Sequence, residues 1–239
     1  MDKSAVMAAM QNGKLDLQGQ FVRSSNYTYL AQLEYGMQTF KAVYKPTRGE
    51  RPLWDFPTAS LTKREVAAYQ VSEALGWELV PPTIYRRKAP MGPGSLQQYI
   101  EHNPAYHYFN MSEIEKQRLR PTVAFDIIIN NADRKGSHII FDQDQHIWLI
   151  DHGVCFHKED KLRTVIWDFA GETIPSALNE GLHHLFDHLK PEDDLFIQLS
   201  KLIKVSEIQF LAKRTQKLIE TGIFPIPSED RRVYPWPPI

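Results

Sequence analysis

The 239-residue chain has a single cysteine, Cys155, which excludes an internal disulfide and makes a reducing cytoplasm the expected location. No apolar run approaches the length of a bilayer span, so no integral membrane segment is expected. The Ala/Met stretch after Met1-Asp2-Lys3-Ser4 is too short for a secretion signal. Neither sign of charge dominates: the net charge of -1 gives no overall attraction to nucleic acid or to an acidic membrane surface. Internal repeats and low-complexity tracts are also missing. What remains is an ordinary globular composition, 42% hydrophobic and 24% charged, enough for one large domain or two small lobes.

Period-2 patterns come first. After a Met/Ala-rich stretch at 1–14 that suits a short helix, Leu15 to Phe21, Thr28 to Glu34 and Phe40 to Tyr44 read as strands. Ser24-Ser25-Asn26 and Gly36-Met37 are the expected turns, and such short connections imply an antiparallel sheet. From Thr62 the period becomes helical through Val66, Ala67, Tyr69, Val71 and Leu75, with Thr62 and Glu65 spaced as a capping box and Gly76 as the stop. Two more extended stretches follow, Leu79 to Arg87 and Ser95 to Ile100, set off by prolines and glycines. Beyond Pro104 the pattern is mostly α. Ser112 is the expected cap ahead of the stripe Ile114, Leu119, Val123, Ile127 and Ile128, and later helices are expected over Ala177 to Leu189, Asp193 to Ile203 and Ser206 to Glu220. The run Tyr234-Pro235-Trp236-Pro237-Pro238-Ile239 cannot be helical and is apolar enough to be expected docked on the body.

The chemistry concentrates between residues 130 and 153. Ile139-Ile140-Phe141, the polar turn Asp142-Gln143-Asp144-Gln145, and Ile147-Trp148-Leu149-Ile150 form a predicted β-hairpin. A hairpin returns its ends to one place, so Asp133, His138 and Asp151 should converge. Phosphoryl transfer needs such a pair of acids: one carboxylate to orient a hydroxyl and take its proton, another with a neighbouring ligand to hold a divalent ion.

Four motifs in order, Ala42-Val43-Tyr44-Lys45-Pro46, Arg64-Glu65-Val66-Ala67-Ala68-Tyr69, Asn131-Ala132-Asp133-Arg134-Lys135-Gly136-Ser137-His138 and Leu149-Ile150-Asp151-His152-Gly153, resemble the protein-kinase-like superfamily. Within it the chain resembles the bacterial phosphatidylinositol 3-/4-kinase-like proteins, relatives of lipid kinases and HipA-type kinases, from about Leu15 to Leu218. The resemblance implies an α+β, bilobal protein-kinase-like fold: a segment 1–14, a small antiparallel β lobe with one helix at 15–101, and a larger, mostly α-helical lobe at 102–239. It implies ATP with Mg2+ or Mn2+ as cofactors and an unidentified hydroxyl acceptor. By position, Lys45 would grip nucleotide phosphates and Glu65 would hold Lys45 as an ion pair. Asp133 would be the base or orienting group, Lys135 would neutralise the moving phosphoryl group, and Asp151 would bind the ion. Asp151 follows Asp133 by 18 residues, the ordinary kinase separation.

The departures are specific. His138 stands where most kinases have Asn, and is expected either to ligate the ion with Asp151 or to hydrogen-bond to Asp133 or a phosphate. His152 replaces the usual Phe and is expected to pack or hydrogen-bond behind the ion, and Arg134 to hold Asp151 or the loop backbone. The phosphate turn is expected at Arg23-Ser24-Ser25-Asn26-Tyr27, which has no glycine, so Ser24, Ser25 and backbone amides would have to donate. Adenine is expected against Gln97, Gln98, Tyr99 and Ile100. The helical trio His183, His184 and His188 with Asp187 reads as a solvated face, Cys155 as a buried packer, and Lys158, Lys161 and Arg163 either as an attractor for an acidic acceptor or as an ordinary exposed loop. Two other functions fit the same residues: a pseudokinase that binds nucleotide without transfer, and a kinase-fold enzyme that adenylylates.

Overall fold

A computed structural model describes residues 2–22 and 26–239. Helix α1 (Lys3–Asn12) is capped by the Asp2 carboxylate, which accepts from Ser4 N–H, and leads into β1 (Lys14–Gln20). Strands β2 (Tyr29–Tyr35) and β3 (Gln38–Pro46) follow, then α2 (Leu61–Leu75), β4 (Thr83–Arg86) and β5 (Gly94–Gln98). The strands make one antiparallel sheet in the order β1-β2-β3-β5-β4. Alternation decides which face is buried: Ala31 and Leu33 on β2, and Phe40, Ala42 and Tyr44 on β3, point to the same side, where Val6, Ala9 and Met10 of α1 cover them.

The rest is helical. Helices α3 (Glu113–Gln117), α4 (Arg120–Ile129), α5 (Asn179–Asp187), α6 (Asp194–Ser200) and α7 (Val205–Thr221) surround the hairpin β6 (Ile139–Phe141) and β7 (Ile147–Leu149). Their core includes Phe125, Ile128, Leu149, Leu182, Leu185, Ile208 and Leu211, all excluded from water. Helix α2 packs Ala67, Ala68, Val71 and Leu75 into this helical core, so it belongs to the large lobe's interior as much as to the sheet. A buried ion pair, Arg64 Nη2 to Glu207 Oε1 at 2.6 Å, ties α2 to α7. Among the described residues no helix is long and apolar enough to cross a membrane.

Several local expectations are corrected. Thr62 lies inside α2 and Glu65 does not reach back to cap it. The Glu50 carboxylate does that instead, accepting from Leu61 N–H at 3.0 Å and Thr62 N–H at 2.9 Å, a longer-range partner that satisfies orphan donors equally well. The stripe after Ser112 breaks into two helices, with Pro121 in the first turn of the second, where a missing N–H costs nothing. Helix α7 starts at Val205, and Glu207 rather than Ser206 serves its end by accepting from Lys204 N–H. The extended stretch at 79–87 is paired only over Thr83–Arg86. The terminal apolar run docks as expected, with Pro235 buried, Pro238 O accepting from Gly136 N–H and the preceding Val233 O from Thr164 N–H, while the side chains of Tyr234, Trp236 and Ile239 stay exposed.

Candidate active site

Lys45 sits near the end of β3, where it is paired with Ser95 of β5 and follows directly on Tyr44, the last residue paired with β2. The neighbouring strand comes very close there: a Cβ on Gly94 would lie 2.2 Å from the Lys45 carbonyl oxygen, closer than any side chain tolerates. The Lys45 ammonium lies 2.6 Å from Glu65 Oε1 and 2.8 Å from Asp151 Oδ1. Glu65 is anchored in turn, because its Oε2 accepts the His152 N–H at 3.0 Å. One ammonium thus joins the sheet, α2 and the end of the β6–β7 hairpin. Burial alone would push Lys45 down, but the Asp151 and Glu65 carboxylates outweigh it and hold it raised. The same lysine holds Asp151 below the usual carboxylate range, whereas burial raises Glu65. Asp151 is half exposed to the cleft, and its φ of 65° places a non-glycine residue in the left-handed region, a conformation of the kind found at sites over-determined by their surroundings.

The second acid comes from the loop after α4. Asn130 ends that helix with φ 54°, a value Asn accepts more readily than most residues, and its side chain bridges to the backbone of His157, Glu159 and Lys161. Asn131 accepts the Asp133 N–H through Oδ1 and donates to Asp126 through Nδ2. The Asp133 carboxylate, about a third exposed, faces Lys135 Nζ at 3.7 Å. Burial raises it to about 6, helped by the charge of Asp151 and opposed by Lys135.

Beneath both acids lies Arg134, completely buried. Its guanidinium forks onto Asp126 (Nε to Oδ2 2.9 Å, Nη2 to Oδ1 3.0 Å), donates to the carbonyls of Ile150 and His138, and donates to His152 Nε2 at 2.8 Å. Of the two roles expected for it, the structure has the second: it holds loop backbone and not the Asp151 side chain. His152 sits behind Asp151, its ring edge-on to Phe125, and burial keeps it neutral. Asp126 was not legible as part of the site. Its signal is a lone acid in the apolar run Ala124-Phe125-Asp126-Ile127-Ile128, because such a residue has to find a buried cation.

The hairpin brings His138 to Asp151 as expected, with Nε2 3.3 Å from Oδ2. His138 Nδ1 accepts the Lys135 N–H at 3.4 Å, which assigns the proton to Nε2. Burial pushes this imidazole down to about 4, so it is neutral at pH 7.

Two cavities meet at Lys45 and Asp151. One of about 520 Å3 is lined by apolar side chains, Val43, Ile140 and Ile150 among them, with Gln98, Tyr99 and His138 at its edge. Another of about 170 Å3 has Asp133, Glu65, Thr62 and Arg51 in its wall beside Leu53, Leu61 and Val154. The N–H groups of Gln98 and Tyr99 are spent on Pro82 O and Lys41 O. Lys161 is paired with Asp55 at 3.0 Å. Cys155 is buried, its thiol pushed well up by desolvation. His184 on α5 stacks on His188 just past its end, and among the described residues no group of three or more His, Cys, Asp or Glu is placed to hold a metal. Ser24 and Ser25 lie outside the described residues.

No family model matches the chain. Among solved structures it is similar to the Helicobacter pylori proinflammatory kinase CtkA, with a TM-score of 0.54 and 11% identity over 90% of this chain and 94% of that one. At that identity the likeness shows the fold alone, and the fold is bilobal, α+β and kinase-like. In sequence the chain is 37% identical to Protein Rv2133c of Mycobacterium tuberculosis over 271 aligned residues, which cover 99% of this chain and 95% of that protein. Similarity at that level along nearly its whole length means that the chain belongs to the same family as Protein Rv2133c.

Proposed function

We propose that the protein is an ATP-dependent phosphotransferase that moves the γ-phosphoryl group to a hydroxyl of its acceptor. The observation that carries this is the Lys45 ammonium held between Glu65 and Asp151, with Asp133 and Lys135 bordering the same cleft. A nucleotide with its base in the apolar cavity sets its phosphates beside Lys45. Because Gln98 and Tyr99 have spent their N–H groups, the base would be met by N–H groups further along, those of Ile100 and His102 lining the cavity, at the junction of a small lobe (15–101) and a large lobe (102–239).

The donor set suits a divalent ion shared with phosphate. Asp151 offers carboxylate oxygen and neutral His138 offers imidazole nitrogen beside it, and phosphate oxygens make up the remainder, the usual arrangement for ions with few protein ligands. Imidazole favours Mn2+ over Mg2+. To ligate through Nε2, His138 moves its proton to Nδ1 and gives up the long bond from Lys135 N–H, a small loss. Such an ion supplies charge neutralisation between phosphates when bound.

The chain's own groups do the rest. Asp133 orients the acceptor hydroxyl and takes its proton as the new O–P bond forms and the β,γ-bridging O–P bond breaks; a carboxylate titrating near 6 is ionised yet basic enough for that task. Lys135 stays beside the moving group and offsets its charge, and Lys45 restrains the phosphates that leave as ADP. The acceptor is a protein, a small polar molecule or a phosphoinositide, the last by the resemblance to phosphatidylinositol 3-/4-kinase-like proteins. The test is ATP turnover with Mg2+ and then Mn2+, beside Asp133→Ala and Asp151→Ala, resolving ADP, AMP and pyrophosphate. ADP release abolished in both variants is the expected outcome. Pyrophosphate as product would replace transfer of the γ-phosphoryl group by adenylylation, and nucleotide binding without turnover under either ion would make the protein a pseudokinase.

A further inference from the structure

The segment between β3 and α2 closes one wall of the smaller cavity. It is pinned at several points. Tyr27 N–H donates to Gly49 O at 3.1 Å, and a Cβ on Gly49 would lie 2.5 Å from the Tyr27 Cβ, so the two loops touch only because residue 49 is glycine. Arg51 N–H donates to Asn26 Oδ1 at 2.7 Å, and Asp55 pairs with Lys161, whose own N–H is held by Asn130. This segment is therefore fastened to the β1–β2 connection through its backbone and to the stretch around Lys161 through the Asp55 side chain.

The carboxylates around the cavity outnumber its cations, and each of them is already engaged. Glu65 and Asp151 share Lys45, Asp133 faces Lys135, and Glu50 is spent on the first N–H groups of α2. Arg51 lines the same cavity, yet among the described residues its guanidinium has no carboxylate and no hydrogen-bond partner. A cation kept without a counter-charge, on a fastened backbone, at the phosphate end of the cleft, is placed to receive an anion from outside the chain. The cavity lies beyond Lys45 and Asp151 from the apolar one, so it takes the far end of a nucleotide's phosphate chain.

We propose that Arg51 is a phosphate-binding residue for the terminal phosphoryl group, gripping it from the β3–α2 segment in a protein whose β1–β2 turn has no glycine to cradle it. This rests on the nucleotide site proposed above. The guanidinium binds two oxygens of the γ-phosphate with its forked donors and holds that group over Asp133 and Lys135.

The test is the affinity of the full-length protein for ADP and for the non-hydrolysable β,γ-methylene analogue of ATP, by calorimetry with Mg2+, in wild type, Arg51→Met and Arg51→Lys. Arg51 is exposed, so neither variant loses core packing. Arg51→Met is expected to weaken the triphosphate analogue about 10- to 100-fold, the range for a lost charge-assisted hydrogen bond, and to leave ADP within about twofold. Arg51→Lys should recover part of the loss, since the charge returns without the fork. Equal weakening of both nucleotides, or of neither, overturns the proposal while leaving the nucleotide site standing. Absence of binding by the wild type removes the nucleotide site and the proposal with it.

Discussion

Replacing Arg64 should destabilise this protein strongly, and the cost should come from the partner left behind. The guanidinium is 1% exposed. It pairs with Glu207 at 2.6 Å, donates to the Cys155 carbonyl, and lies 4.9 Å from the centre of the Phe56 ring. Arg64→Met keeps much of the volume but strands a buried Glu207 carboxylate, which costs about 3–5 kcal/mol. For a chain of this size that lowers Tm by about 6–20 °C. Glu207→Leu should cost a similar amount by stranding Arg64. The double variant leaves only the unpaired Cys155 carbonyl, about 1–3 kcal/mol, and the lost bond to Lys204 N–H at the start of α7, about 1 kcal/mol. Denaturant unfolding of all four proteins should therefore give a coupling of at least about 2 kcal/mol. Additive single effects would refute the argument, because they would mean that neither charge depends on the other.

Three further outcomes follow from the site. Turnover should rise with pH through about 6 as Asp133 ionises; this acid, raised from 3.8, gives the fold stability below 3.8 that is lost as pH rises through about 6, so Asp133→Asn should abolish turnover yet be no less stable than wild type at pH 7 by thermal melting. His138→Asn should shift the preferred ion from Mn2+ toward Mg2+ in an ATP-turnover titration, since an amide oxygen replaces an imidazole nitrogen; an unchanged preference would remove His138 from the ligands. Asp126→Asn should destabilise by about 3–5 kcal/mol in chemical denaturation, because it strands the buried Arg134, and a loss under about 1 kcal/mol would contradict that role.

The parts of the fold set by local period were legible from the chain. Alternation in β2 and β3, the glycine stops after α2 and α7, and the turn-rich hairpin at 139–149 all depend on neighbours a few residues apart. The hairpin is also why His138 and Asp151 meet as expected. What escaped was long-range satisfaction of polar groups. Glu50 rather than Thr62 serves the start of α2, Asp126 rather than Asp151 receives Arg134, and Glu207 receives Arg64. Each of these pairs is chosen by three-dimensional proximity, which side-chain spacing does not encode. Arg51, the residue proposed to bind phosphate, is hidden for the opposite reason: an isolated loop arginine looks like any solvated cation until the carboxylates around it are found to be taken.

The fastening of α2 links the cleft to the helical core. With Ala67, Ala68, Val71 and Leu75 sunk in that core and Arg64 bound to α7, α2 cannot shift without exposing apolar surface or parting a buried ion pair. Arg64 and Glu65 are consecutive, one facing α7 and the next holding Lys45 and the His152 N–H. A single peptide unit thus joins a helix far along the chain to the lysine of the sheet, and a substitution at Glu207 should loosen Lys45 as well as lower stability.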